Sequence, residues 1–94
     1  MRINKSIKFQ NKFKIIFEYI AKDKYTAALS FRKELNELLK NLNNFPFKYR
    51  KSIYFNNENI RDMIFRGYTV IYELKHEESL IEILTIFNQN KQGK

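Results

Sequence analysis

Between Ile60 and Phe87 the chain reads IRDMIFRGYTVIYELKHEESLIEILTIF. Three apolar segments, Ile60–Phe65, Tyr68–Leu74 and Leu80–Phe87, are parted by Arg66-Gly67 and by the polar group from Lys75 to Ser79. Short β-branched and aromatic runs bounded by turn residues predict a strand meander. In the middle run Tyr68, Val70, Tyr72 and Leu74 share one face and Thr69, Ile71 and Glu73 the other, because strand side chains alternate. The third run is apolar on both faces near its end (Ile83, Leu84, Ile86, Phe87), as expected of a central strand or of one that also meets a partner.

The upstream half switches period. Residues 2–9 alternate, with Ile3, Lys5, Ile7 and Phe9 on one side, which predicts a first strand whose Lys5 discourages edge-to-edge pairing. From Gln10 to Ala21, Phe13, Ile16, Phe17 and Ile20 recur at helical spacing and form one apolar stripe. A second helix is predicted from Thr26 to Leu42, carrying Ala28, Phe31, Leu35, Leu38, Leu39 and Leu42, with Thr26 as N-cap. It stops at Asn41–Asn44, ahead of Phe45-Pro46. Ile53, Tyr54 and Phe55 suggest one more short strand, and Asn56 to Asn59 a turn. The order predicts an α+β fold, β-α-α-β-β-β, with a helical hairpin packed on one face of a largely antiparallel sheet. One domain over residues 1–94 is expected, ending in a frayed tail at 88–94. Its expected core joins Phe13, Ile16, Phe17, Ile20, Phe31, Leu35 and Leu38 to Val70, Tyr72 and Ile83.

Charge changes this picture more than length does. Residues 1–50 carry twelve Lys and Arg against four Asp and Glu, while residues 51–94 carry six of each, so the whole net charge of +8 belongs to the first half. A field of that sign favours RNA, DNA or an acidic protein partner. The same surplus also follows from a composition leaning to Lys, Asn, Ile and Phe. With no cysteine and one histidine, disulfides, thiolate nucleophiles and Cys or His metal clusters are excluded. No apolar run has the length of a membrane span or a signal segment, so a cytoplasmic protein without membrane contact is expected.

Candidate chemistry is sparse. Ser6, Ser30, Ser52 and Ser79 have only His76 as a possible imidazole base, and no glycine-rich elbow or phosphate loop surrounds any of them. His76 falls in a polar turn beside Glu77 and Glu78, where a solvated role is the expectation. No cofactor or metal is expected. What remains is cationic and aromatic: Lys48, Tyr49, Arg50, Lys51 and Tyr54 in the connector, with Arg61, Arg66, Tyr68 and Tyr72 on the meander. Such groups hold phosphates and stack on bases, and they also anchor protein interfaces.

The order and spacing of several short motifs resemble the RelE/ParE superfamily of toxins from bacterial type II toxin–antitoxin modules. They are Tyr19-Ile20-Ala21, Ala27-Ala28 with Phe31, Leu42 before Phe45-Pro46, Ile60-Arg61, Tyr68 to Leu74, and Ile83 to Phe87. The resemblance covers nearly the whole chain. It implies a small basic toxin neutralised by an acidic, partly disordered antitoxin, the pair often repressing its own operator DNA. RelE-type members cleave mRNA in the ribosome with Lys and Arg side chains and often a Tyr or His near the C-terminal end of the last strand. ParE-type members lack that set and inhibit DNA gyrase. Here Asn88-Gln89-Asn90-Lys91 follows the last strand, and Ile64 stands where RelE-type members commonly have Arg, whereas Arg61 matches the ParE-type spacing. The resemblance therefore implies a ParE-like gyrase inhibitor with Arg61, Arg66, Tyr68 and Lys91 at the target. The alternatives are a ribosome-dependent mRNA interferase using Lys48, Arg50, Lys51 and Arg61, or an attenuated, non-toxic interaction domain. The antitoxin-binding residues are not implied.

Overall fold

The computed structural model describes residues 1–88. Strand β1 (Arg2–Lys5) leads into α1 (Ile7–Asp23) and α2 (Tyr25–Asn41), followed by β2 (Arg50–Lys51), β3 (Ile60–Phe65), β4 (Tyr68–Lys75) and β5 (Leu80–Asn88). The five strands form one sheet in the order β1-β5-β4-β3-β2. Three of its pairings are antiparallel and the fourth, β1 with β5, is parallel. β5 is thus a central strand, which accounts for its apolar residues on both faces. No helix among the described residues is long and apolar enough to cross a membrane.

The alternation of residues 2–9 misleads past Lys5. Ser6 takes extended backbone angles and its Oγ accepts the Phe9 N–H at 3.0 Å, so a helix starts at Ile7 where the pattern predicts strand. A side-chain cap of this kind satisfies one of the N–H groups a helix start leaves open. Ile7 consequently faces water, and Phe9 reaches the core from the helix. The same Ser6 hydroxyl donates to the Leu84 carbonyl at 2.8 Å. Leu84 is the extra residue of a β-bulge, since Ile71 pairs with Thr85 and Tyr72 with Ile83. One side chain therefore fastens both the start of α1 and the irregular point of the central strand.

The second helix also starts earlier than predicted. Lys24 alone links the helices, extended at φ −155°, and offers no side-chain cap; Thr26 lies exposed in the first turn instead. A link this short forces α1 and α2 into an antiparallel hairpin. Its apolar stripe packs on one face of the sheet, where Phe9, Phe31, Leu35, Leu39 and Leu42 meet Met63, Phe65, Val70, Tyr72, Leu74, Ile81, Ile83 and Ile86. Phe13, Ile16, Ile20 and Leu38 are only half-buried at the edge of this core. Phe17 stands outside it, tilted against Phe13 and edge-on to Tyr25.

The β3–β4 hairpin turns through Arg66 and Gly67, at φ +50° and +83°. Positive φ at both central residues is the geometry that matches the twist of a two-residue hairpin. Gly67 adopts it without strain, and Arg66 does so at some cost. Ile53 to Phe55 are not a strand. β2 is confined to Arg50–Lys51, and the loop after it bends over the sheet face opposite the helices.

Candidate functional site

Site chemistry gathers at the outer end of the sheet, where β2 and the loops on either side of it meet β3. Pairing of Arg50 with Asp62 and of Lys51 with Arg61 decides which side chains share a face. Arg61 has the parity of the core residues Met63 and Phe65, so it lies on the helix side. Its Nε donates to the Glu58 carbonyl at 2.9 Å and its Nη1 to the Tyr49 carbonyl at 3.1 Å. Its guanidinium also covers the Phe47 ring at 4.6 Å, and that ring stacks on His76. Arg61 is thereby a clasp between the Phe45–Lys51 connector and the turn before β3, with only 14% of its side chain exposed. Glu58, which drew no notice in the sequence, holds both Arg61 and Lys51 at 3.5 Å.

Arg50 points the other way. It pairs at 3.3 Å with Asp62, whose fully buried carboxylate also accepts the Ile53 N–H at 3.0 Å. Lys48 extends over the Tyr49 ring. The four cations of a hypothetical nuclease site are thus near in sequence but divided: Lys51 and Arg61 on one face, Arg50 on the other, Lys48 on the connector.

The sheet face opposite the helices is apolar at its surface. Ile64, Thr69 and Phe87 lie in one cross-strand row, and Asp62, Ile71 and Thr85 in the next. Tyr54 closes over Phe87 with ring centroids 5.4 Å apart. Thr69 and Ile71 are buried, so this face is covered where the alternation alone would leave it to solvent. Asp62 Oδ1, Thr69 Oγ1 and Thr85 Oγ1 are buried beneath it without a hydrogen-bond partner.

The other expected target residues are placed apart from Arg61. Arg66 sits at the tip of the β3–β4 turn and bonds Glu34 at 2.6 Å, both side chains being partly exposed. Tyr68 is half-buried, edge-on to Phe31. Arg61 and Arg66 stand about 17 Å apart along β3 at about 3.3 Å per residue. Lys91 lies outside the described residues. His76, exposed in the β4–β5 turn, bonds Asn59 through Nε2 at 3.0 Å. On the connector, Phe45 and Phe47 are exposed and, with Asn44, Pro46 and Lys48, line an open groove of about 660 Å³.

A helical hairpin on a mixed five-strand sheet, with cations fastening loops at the sheet's outer end, defines a small basic α+β domain of the RelE/ParE-like class. Residues 4–93 match the family model described as the ParE toxin of the type II toxin–antitoxin system parDE, and the chain belongs to that family. No curated protein matches it. Family membership makes this chain a toxin with an antitoxin as its partner.

Proposed function

We propose that this toxin acts on DNA gyrase by binding rather than by cutting RNA, and that an acidic antitoxin neutralises it, the pair binding operator DNA only as a complex. The observation that carries this reading is the division of Lys48, Arg50, Lys51 and Arg61 between faces, with Arg61 and Arg50 already committed to partners inside the fold. Metal-free cleavage of RNA requires a base, an acid and a cation converging on one phosphate. Here the one histidine is hydrogen-bonded in a turn, and Ile64 and Asn88 stand where RelE-type members commonly have Arg and His.

In this reading Arg66 is the target residue that contacts gyrase directly, which its partly exposed pair with Glu34 supports, because an exposed ion pair exchanges its partner at little cost. Arg61 and Tyr68 act by holding the connector and the hairpin in shape. The test is a supercoiling assay run beside primer extension on translated messages. Loss of supercoiling with intact messages, weakened by Arg66→Ala, supports the proposal. Codon-specific cuts that vanish in Arg61→Ala or Lys51→Ala refute it and assign an mRNA interferase.

A further inference from the structure

Away from the outer end of the sheet, a cavity of about 230 Å³ opens where β1 meets the two helices, lined by Lys5, Phe9, Gln10, Phe13, Arg32 and Asn36. Its chemistry is lopsided. Two cations and two amides surround a wall made of the stacked Phe9 and Phe13 rings, 6.0 Å apart, and no carboxylate lines it. Among the described residues neither Lys5 nor Arg32 takes part in an ion pair. The Lys5 ammonium donates to Asn36 Oδ1 at 2.8 Å, and Arg32 lies over the Phe17 ring at 4.9 Å. Gln10 spends its amide N–H on the Lys5 carbonyl.

This is an unusual place to keep a lysine. Partial burial strips some of the water from Lys5 and pulls its pKa below the ordinary value, and among the described residues no carboxylate pairs with it. A partly desolvated cation held only by a neutral amide is under-compensated. An ammonium has three N–H donors, and one is spent on Asn36; that leaves N–H donors on Lys5, the Asn36 amide and the Arg32 guanidinium for a ligand.

We propose that this cavity receives one carboxylate side chain of the antitoxin, a glutamate or aspartate whose methylene stem lies on the phenyl wall while its oxygens meet Lys5 and Arg32. The identity of the chain that supplies the carboxylate rests on the acidic antitoxin proposed above; the carboxylate site itself does not. A protein carboxylate suits the cavity better than a phosphodiester. The space holds a single side chain, the Phe9 and Phe13 rings give it a hydrocarbon wall for a methylene stem, and the two oxygens of one carboxylate can each meet one of the two cations. Phosphate sites typically add backbone N–H groups or paired guanidinium forks.

The test uses the full chain with isotope-labelled lysine and phenylalanine, titrated in an NMR experiment with N-acetyl-glutamate N-methylamide. Its glutamine analogue and inorganic phosphate serve as competing probes. The expected result is a saturable shift of the Lys5 side-chain and Phe9 and Phe13 ring signals with the glutamate probe and none with the glutamine analogue. Lys5→Met and, separately, the exposed Arg32→Gln should each weaken that binding about tenfold or more, the worth of a hydrogen bond to a charged group. Absence of saturation, an equal response to the glutamine probe, or tighter saturation by phosphate each overturns the proposal. Supercoiling measured on the same samples separates the two readings. A wild-type chain that binds the glutamate probe yet leaves gyrase active sinks the gyrase proposal and leaves the cavity standing. A chain that inhibits gyrase, as the Lys5→Met variant also should, but ignores the probe does the reverse.

Discussion

Replacing Tyr72 with Phe gives the sharpest test of how the connector is tied to the sheet. Tyr72 is fully buried on the helix face of β4, and its hydroxyl donates to the Pro46 carbonyl at 2.8 Å. Burial raises its pKa from 10.0 to about 12, the positive Arg61 beside it opposing part of that rise. At neutral pH the Phe variant should lose about 1 kcal/mol, the net worth of one neutral hydrogen bond, since Pro46 is itself half-exposed and regains water. In alkali the sign reverses. Between about pH 10 and about 12 the unfolded chain releases the Tyr72 proton while the native one keeps it, so wild-type stability falls as pH rises through that window. A two-unit shift corresponds to roughly 2–3 kcal/mol, a loss from which the Phe variant is exempt. Urea unfolding followed by circular dichroism should therefore give two curves of stability against pH that cross above about pH 10. Curves that run parallel through the tyrosine range would refute the burial argument, because every other titrating group is common to both proteins.

Three further outcomes follow from packing and charge. Leu35→Ala should cost about 2–5 kcal/mol, as for other fully buried leucines, and Leu38→Ala clearly less because it is only half-buried; equal losses in chemical denaturation would contradict the packing described. Arg50→Ala should cost about 3 kcal/mol, near the low end for a buried charge stripped of its partner, because Arg50 itself remains partly in water. Adding Asp62→Ala should restore part of that loss, and a double variant less stable than Arg50→Ala would argue against it. The association rate with the cognate antitoxin should fall steeply with salt, since steering is screened within about 10 Å at 0.1 M; a flat response in stopped flow would remove the role assigned to the basic field.

The parts of the fold that were legible are those with a period. The stripes of both helices and the three-strand meander follow from spacing alone, and β5 reads as central because it is apolar on both sides. Legibility ended where one side chain decided the matter. Ile7 and Phe9 extend the alternation of β1 by accident, and only the Ser6 cap reveals that the helix has begun. Burial of Thr69 and Ile71 depends on a loop with no period of its own, residues 52–59, folding over them. At the site, the sequence marks the cations but not their distribution, because a single step of register sends Arg50 and Lys51 to opposite faces. Lys5 reads as an edge-strand charge. Its place at a cavity wall depends on Asn36, a contact across 31 residues that spacing does not disclose.

The position of β5 has a consequence for how the chain comes to be folded. The last strand in chain order among the described residues, it lies between β1 and β4, and its register pairs Arg2 with Leu80. A nascent chain lacking residues 80–88 has neither a partner for its first strand nor the Ile81, Ile83 and Ile86 side chains against which the helical hairpin packs. Its sheet then ends at β4, with an unpaired edge where β5 belongs. Contacts that join the two ends of a chain carry a loop-closure cost and slow the search for the native state. The sheet and the core of this toxin therefore close only when β5 is in place. Until residues 80–88 have joined the sheet, the open edge of β4 is available to anything able to pair with it.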